Sequence, residues 1–162
     1  MKSRLCTGED GSPMRWTYRF RIQAPLDTIY QVGFAPDKWF TFYPGYRGRE
    51  SVDTDWPAEG SSILIRSAIL GPWSLRLKQT IVEHEQGHRL RMHEEALSGW
   101  WIDTPEFTFE PQGDSTEVTL SVDPTSKWLL GRVLIWLIFW PFTLITPRAM
   151  KRFKAMIEHS RA

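Results

Sequence analysis

Apolar and polar residues alternate along much of the chain up to Asp123, with the period of two that is typical of β-strands. The alternation is clearest from Trp16 to Ile22. Six later segments are also predicted as strands: 46–52, which is weak, 61–69, which is β-branched and apolar, and 73–85, 88–94, 100–110 and 115–123. Ala24-Pro25 ends the first strand, and the spacing of apolar residues in 26–32 and 37–42 predicts two short helices. The pattern therefore predicts one strand, two short helices and then a run of antiparallel strands.

The segments on either side of Gln86-Gly87 predict a hairpin with a definite register. A two-residue loop pairs Glu85 with His88 and therefore Ile81 with Met92. By the same count, Glu83 pairs with Leu90. One face of the hairpin is then charged, and the other carries the apolar residues Leu75, Leu77, Ile81, Leu90 and Met92. A slip of one residue would mix the two faces, so their separation supports this register.

Two polar residues, Gln79 and Glu94, are cross-strand partners on the apolar face of this hairpin. They form either a satisfied amide–carboxylate pair near the margin of the sheet or a polar anchor inside a hydrophobic pocket. A carboxylate in such a pocket loses hydration, so its pKa should rise. Glu94 is therefore the candidate catalytic acid or base. Trp100-Trp101 is open to two similar interpretations, a pocket lid or ordinary core.

The last third of the chain predicts a long apolar helix followed by a basic one. Residues 128–146 are almost entirely apolar, and 147–161 have an apolar stripe among basic residues. Thr125 or Ser126 is the expected N-cap. Pro141 should kink or break the helix because it lacks a backbone N–H, and Thr146-Pro147 resembles a fresh helix start.

Both faces of the apolar helix are hydrophobic, which is unusual where water meets one of them. The face expected to cover the sheet carries Leu130, Val133, Leu134, Leu137, Ile138 and Pro141. The other face carries Ile135, Trp136, Phe139 and Trp140. We expect this second face to contact a membrane surface, a second subunit in a homodimer, or its own domain. A membrane-spanning helix needs about 20 apolar residues, and Arg132 and Pro141 inside the run argue against one.

The composition of the chain limits its possible domain organisation, partners and cellular compartment. With 162 residues the chain is expected to form a single domain over 15–160, preceded by a disordered tail over 1–14. Lys and Arg number 20 against 19 Asp and Glu, so no basic excess points to nucleic acid. Cys6 is the only cysteine, which excludes an internal disulfide and is typical of a reducing compartment. We therefore expect a cytoplasmic protein, free or associated with a membrane.

Motifs for metal or cofactor binding are lacking in the sequence. No CxxC, P-loop, GxGxxG or GxSxG sequence occurs, and we expect no cofactor. In the predicted register His84, opposite Arg89, and His93 both point to solvent, and His88 flanks the turn. The three histidines do not converge, so we expect no metal site.

Local sequence and element order together resemble the helix-grip fold of the START-like (SRPBCC) superfamily. Residues 20–30 look like its first strand, a proline and a helix, and 37–40 with 43–45 look like its second helix and exit turn. Residues 107–118 are similar to its last hairpin, and the resemblance covers 15–160. It implies an α+β fold in which a curved antiparallel sheet wraps around a long C-terminal helix. The chain departs from the family in that helix, which is apolar all round and kinked near Pro141.

The resemblance implies a cavity between sheet and helix for a hydrophobic small molecule or lipid. The candidate walls are Ile81, Leu90, Met92, Phe107 and Phe109, with Gln79 and Glu94 orienting the ligand. The superfamily includes polyketide cyclase/dehydrases and lipid-transfer domains, and it has no universal catalytic set. A binding or transport protein is preferred here. The alternatives are a cyclase or dehydratase that uses Glu94, and a membrane-associated accessory protein that docks through its aromatic C-terminal helix.

Overall fold

The structure, a computed structural model, describes residues 2–6, 15–70 and 73–160. Within these residues the strands are β1 (Lys2–Cys6), β2 (Arg15–Ile22), β3 (Tyr46–Val52), β4 (Ser62–Leu70), β5 (Trp73–Glu85), β6 (Arg89–Ala96), β7 (Ile102–Asp103), β8 (Glu106–Gln112) and β9 (Ser115–Val122). Helix α1 (Leu26–Thr28) continues into a π-helical turn (Ile29–Gly33), and helix α2 covers Leu129–His159. The predicted order of strand, short helices, strands and long helix is confirmed.

All strands belong to one antiparallel sheet in the order β1-β2-β9-β8-β6-β5-β4-β3, with β7 pairing on β6. Alternation of buried and exposed residues is regular in β2, β6 and β9, because one face of the sheet is covered and the other meets water. On the covered face of β2, Trp16 stacks on Tyr18 with the ring centroids 5.5 Å apart. Phe153 and Ile157 of α2 are fully buried in this core.

The hairpin of β5 and β6 has the predicted register only in the part that lies farther from its loop. Gln79 pairs with Glu94 and Ile81 with Met92, as predicted. A bulge then shifts the register, so that Glu83 pairs with Arg91 and Glu85 with Arg89. The loop has three residues, 86–88, with Gly87 at φ +90°. The predicted pairs Glu83–Leu90 and Glu85–His88 are therefore wrong.

The bulge also reverses the predicted orientation of His84. His84 pairs with Leu90 rather than with Arg89, and it stacks on Tyr30 with the ring centroids 5.4 Å apart. An extra residue in one strand turns the side chains beyond it to the other face. His93 keeps the predicted solvent-facing orientation, with its Nε2 atom 3.7 Å from a carboxylate oxygen of Glu95.

The second predicted short helix is a succession of turns over 36–42. Hydrogen bonds join Trp39 N–H to the Ala35 carbonyl and Tyr43 N–H to the Phe40 carbonyl. Phe40 has φ +65°, a left-handed conformation that does not continue a right-handed helix. The segment is therefore compact without being a regular helix.

The backbone of α2 is helical without interruption through Pro141 and Pro147. The predicted new helix start at Thr146-Pro147 is therefore wrong, because Thr146 lies within the helix and is buried. The helix begins at Leu129, and Ser126 Oγ accepts a hydrogen bond from Trp128 N–H at 3.3 Å. Burial of the apolar stripe in its second half offsets the hydrogen bonds that the two prolines lack. Among the residues described, no helix has the length and apolar character needed to cross a bilayer.

The face of α2 that was predicted to cover the sheet is exposed where the structure describes it. On the other face, which was predicted to contact a membrane surface, a second subunit or its own domain, Ile135 is buried within its own domain with 1% of its surface exposed. The residues predicted to cover the sheet are exposed instead: Leu130, Val133, Leu134 and Leu137. Ile135 shares its helix face with Ala149 and Phe153, and burial of that stripe fixes the rotation of the whole helix. The side chains of Trp136, Ile138, Phe139, Trp140 and Pro141 lie outside the described part of the structure.

The N-terminal segment also differs from the predicted disordered tail. Lys2–Cys6 forms a strand that pairs antiparallel with β2, from Lys2 opposite Arg19 to Cys6 opposite Arg15. Without this strand β2 would be a long edge of the sheet with unpaired backbone groups. Residues 7–14 lie outside the described residues.

Candidate functional site

A cavity of about 70 Å³ lies between the covered face of the sheet, the turn segment 39–43 and α2. Its walls are mainly apolar, formed by Phe42, Leu77, Met92, Phe107, Leu120 and Met150 among others. Gln79, Glu94, Asp103 and Tyr43 add polar groups to this lining. A largely apolar cavity with a few convergent polar groups is the usual form of a small-molecule site.

A chain of hydrogen bonds holds the polar groups in place. Trp39 Nε1 donates to Gln79 Oε1 at 2.6 Å, and Gln79 Nε2 donates to Glu94 Oε2 at 2.5 Å. Trp101 Nε1 donates to Glu94 Oε1 at 3.2 Å. Each oxygen of the Glu94 carboxylate therefore accepts one hydrogen bond from a buried side chain, which fixes its orientation.

Burial raises the pKa of the Glu94 carboxyl above its ordinary value. The hydrogen bonds from Gln79 and Trp101 favour the charged form and oppose this rise. Because desolvation outweighs them, the carboxyl keeps its proton to a higher pH than a carboxyl in water does. It can therefore donate or accept a proton nearer to neutral pH.

A second buried carboxyl lies beside the first. Asp103 on β7 is the cross-strand partner of Glu94 and is also fully buried. Burial and the neighbouring Glu94 charge raise the pKa of Asp103 to about 8. The backbone N–H groups of Thr104 and Asp123, at 2.7 and 2.9 Å from Asp103 Oδ1, lower it in part. Two adjacent carboxyls in a dry site resist ionising together, so they hold at least one proton near neutral pH.

Tyr43 closes the same cavity from the turn segment. Burial and the charges of Glu94 and Asp103 all raise the pKa of its phenol, which therefore stays protonated. Its ring stacks on Phe40 with the centroids 4.8 Å apart. Phe40, which also lines the cavity, has the left-handed φ of +65°. A non-glycine residue in this conformation stores strain that the surrounding packing must offset.

The predicted ligand-binding residues divide into two groups. Gln79, Met92, Glu94 and Phe107 line the cavity together. Ile81, Leu90 and Phe109 are buried on the same face but do not line it. Tyr30 and Phe34 fill the space next to Phe109, with ring centroids 5.4 and 6.2 Å from it, and so this end of the sheet is solid core.

Most of the residues that line the cavity were not predicted as part of the site. They include four residues that carry polar groups: Trp39, Tyr43 and Asp103, and Trp101, for which the sequence left a pocket lid or ordinary core open. Two of them carry a signal in the sequence. Trp101 and Asp103 alternate in phase with Phe107 and Phe109, and buried and half-buried positions indeed alternate without a break over 101–109. Trp39 and Tyr43 lie in an irregular turn segment, where no periodicity indicates orientation.

Comparisons with known proteins concern the fold. No protein-family model matches the sequence, and no curated protein is significantly similar to it. Among solved structures, the ZhuI aromatase/cyclase from Streptomyces sp. R1128 has a TM-score of 0.69 at 8% identity, covering 91% of this chain and 95% of that one. Ara h 8.0201 has a TM-score of 0.67 at 9% identity, covering 88% and 96%. A protein from Rhodobacter sphaeroides has a TM-score of 0.68 at 15% identity, covering 96% and 97%.

These likenesses extend over most of each chain, although only 8–15% of the residues are identical. In this chain the open antiparallel sheet, the early short helices and the long C-terminal helix are those of the helix-grip fold. The chain therefore has the helix-grip fold that START-like proteins share.

Proposed function

We propose that the protein binds a hydrophobic small molecule or lipid in the cavity between the sheet and α2, with Glu94 and Gln79 orienting the ligand. The observation that carries this proposal is the buried Glu94–Asp103 carboxyl pair in a mainly apolar cavity. Apolar residues of similar volume often make a core more stable than buried ionisable groups do. A role in ligand recognition accounts for the carboxyl pair, whereas core stability does not.

The size of the cavity implies that the protein opens to take up its ligand. About 70 Å³ is small beside the roughly 300–1,000 Å³ of common ligand pockets. The cavity walls that do not belong to the sheet include Phe40 and Tyr43 on the turn segment, and Thr146 and Met150 on α2, so opening would separate these from the sheet. Release of the strained Phe40 backbone would offset part of the cost of opening.

Apolar burial would supply most of the affinity. Each buried methylene contributes about 0.8 kcal/mol, so an acyl chain or fused ring needs few polar contacts. A hydroxyl or N–H group on the ligand would find an acceptor in Glu94. The named functions of structural neighbours support this class of ligand, since one is an aromatase/cyclase and another is the Bet v 1-like protein Ara h 8.0201.

Binding is tested with N-phenyl-1-naphthylamine, a neutral apolar fluorophore with one N–H donor. We expect its fluorescence to rise on mixing with the full chain, and native mass spectrometry of protein purified without detergent to show a bound apolar mass. Glu94→Gln should weaken binding of the fluorophore about tenfold, the size of one hydrogen bond to a charged group. Glu95→Gln is the matched control, because Glu95 pairs with Lys127 on the solvent side. An empty protein that binds no fluorophore would overturn the proposal.

An enzymatic role is the second candidate, favoured by the proximity of two carboxyls whose pKa values are both raised. Such a pair can supply the general acid and the general base of a cyclase or dehydratase reaction. Turnover of a polyketide-like β-keto substrate would then require both residues. Glu94→Gln and Asp103→Asn should each abolish turnover while the variants still bind the fluorophore. If Glu94 titrates near the ordinary glutamate value of about 4.3, it does not have this role.

A further inference from the structure

The first half of α2 presents a row of apolar side chains to the outside at the positions that the structure describes. Seven of the nine exposed large apolar side chains among the described residues lie between positions 128 and 144. Leu130 is 83% exposed, Val133 55% and Leu137 59%. Clustered exposure of this kind marks an interaction surface, whereas single exposed apolar residues are common on any protein.

Helical geometry places these side chains on one face. With 3.6 residues per turn, Leu130, Val133, Leu137 and Leu144 point to the same side of α2. The opposite side carries the buried Ile135 and the rest of the core stripe. At about 1.5 Å per residue the apolar surface is roughly 20 Å long from Leu130 to Leu144. It is therefore a line along the helix, and we call it the outer apolar face.

Basic residues continue this face towards the C-terminus. Arg148, Lys151 and Arg152 are all exposed, and helical spacing aligns them with Leu137 and Leu144. The sequence of α2 contains no acidic residue before Glu158. The outer apolar face is thus followed, one turn later, by a cluster of positive charge without neighbouring acids on the same helix.

This arrangement favours an anionic lipid surface over a second copy of the chain. An antiparallel pairing of two α2 helices would place Arg148 of one copy against leucines of the other, and a parallel pairing would place like charges together. An anionic bilayer supplies apolar acyl chains and negative phosphates side by side. We propose that α2 lies in the plane of an anionic membrane surface, with the outer apolar face among the acyl chains and Arg148, Lys151 and Arg152 at the headgroups.

The docking face and the cavity are on different sides of the same helix. Thr146 and Met150 line the cavity, while Leu144 and Arg148 point outwards. Membrane docking is therefore independent of the proposed ligand function, and the two can be tested separately.

The test is vesicle flotation of the full chain, prepared without detergent. Vesicles of phosphatidylcholine alone are compared with vesicles of equal parts phosphatidylcholine and phosphatidylglycerol. We expect strong binding to the anionic vesicles, weak binding to the neutral ones, and loss of the difference at high salt. The double variant Val133→Ser Leu137→Ser should bind anionic vesicles more than about tenfold more weakly, since two partly exposed apolar side chains no longer insert.

Matched control variants on β3 and β5 test whether a loss of flotation is specific to α2 or follows from removing any exposed apolar or basic side chain. Val82→Ser changes a side chain that is 40% exposed on β5 and should leave flotation unchanged. Arg148→Gln Arg152→Gln should weaken binding to anionic vesicles by roughly tenfold or more. Arg47→Gln Arg49→Gln removes the same charge from exposed positions on β3 and should have no comparable effect. A far-ultraviolet circular dichroism spectrum and a urea unfolding midpoint like those of the wild type show that each variant is folded.

Two results would overturn the proposal. One is a full chain that does not float, or that floats equally well in both α2 variants. The other is a dimer in light scattering that Val133→Ser Leu137→Ser converts to a monomer, because the outer apolar face is then covered by a second copy.

Discussion

The hydrogen bond from Trp101 to Glu94 controls how readily this buried carboxyl ionises. Trp101 Nε1 donates to one carboxylate oxygen and thereby lowers a pKa that burial raises. In Trp101→Phe this donor is lost while the ring remains. We expect the pKa of Glu94 to rise further in this variant, because a hydrogen bond that favours the charged form is lost. Carboxyl carbon chemical shifts followed against pH measure it.

The neighbouring tryptophan provides the control for this variant. Trp100 is half-buried and packs edge-on against Trp101, with the ring centroids 6.0 Å apart. Trp100→Phe should leave the Glu94 titration where it is in the wild type. An unchanged pKa in Trp101→Phe would show that the bond at 3.2 Å does not influence the carboxyl.

Gln79 forms hydrogen bonds with two buried side chains at once. Its amide accepts from Trp39 and donates to Glu94, all within the buried cavity wall. Gln79→Leu leaves an unpaired indole N–H and a carboxyl without its strongest donor. We expect the free energy of unfolding in urea to fall by about 2–4 kcal/mol, since each orphaned buried group costs about 1–3 kcal/mol. Lys78→Leu, at the exposed preceding position of β5, should change stability by less than about 0.5 kcal/mol.

The close contact between the π-helical turn and α2 depends on Gly33, the last residue of that turn. A Cβ atom on this residue would lie 2.7 Å from Cζ of Phe153, a rigid and fully buried ring of α2. Gly33→Ala should therefore destabilise the protein by about 1–3 kcal/mol, the usual cost of overpacking a core. Chemical denaturation measures the loss.

A second substitution identifies the cause of this loss. Phe153→Leu removes the ring atoms that the new methyl group would meet, so Gly33→Ala should cost clearly less in that background. Equal costs in both backgrounds would mean that the turn, and not its contact with α2, requires glycine.

The elements themselves could largely be predicted from the sequence, because the sheet has one wet face and one dry face. Alternation placed Gln79 opposite Glu94 and Ile81 opposite Met92 correctly. The predicted pairing failed one residue further on, where a bulge near Val82 adds one residue to β5. Nothing in the local sequence indicates this bulge. The rotation of α2 could not be derived either. Its first half is apolar on all sides, so the spacing of hydrophobic residues does not indicate which side of the helix faces the core.

Part of the candidate site was predictable for the same reason. Glu94, Gln79, Met92 and Phe107 lie on strands whose alternation shows which way they point. Asp103 could have been found by extending the alternation of Phe107 and Phe109 backwards. Trp39 and Tyr43 come from turns around Phe40, whose left-handed backbone depends on tertiary packing and not on local sequence.

The two buried carboxyls make the stability of the whole molecule depend on pH. Burial raises the pKa of Glu94, and burial together with the Glu94 charge raises that of Asp103 from an ordinary 3.8 to about 8. The folded protein then binds protons more tightly than the unfolded chain. The stability contributed by these protons is complete below about pH 3.8 and is lost as the pH rises towards 8. This sign is opposite to that of ion-paired surface carboxylates, which stabilise a protein as the pH rises.

We therefore expect the contribution of the pair to the free energy of unfolding to decrease between pH 4 and pH 8. Each carboxyl contributes a slope of at most about 1.4 kcal/mol per pH unit while it titrates. Asp103→Asn keeps the shape and stays neutral at every pH, so the variant should lose the part of this slope that Asp103 contributes, while Glu94 keeps its own. Relative to the wild type it should gain stability as the pH rises towards 8. Urea unfolding at constant ionic strength measures both proteins.

An exposed aspartate serves as the control for this substitution. Asp114 is exposed in the turn between β8 and β9, so Asp114→Asn makes the same chemical change at a position that is not buried. Asp114→Asn should follow the wild-type dependence on pH within about 0.5 kcal/mol. If Asp103→Asn follows it as well, the buried pair does not hold an extra proton in the folded protein. The acid–base role of the cavity would then lose its physical basis, while binding through apolar burial would remain.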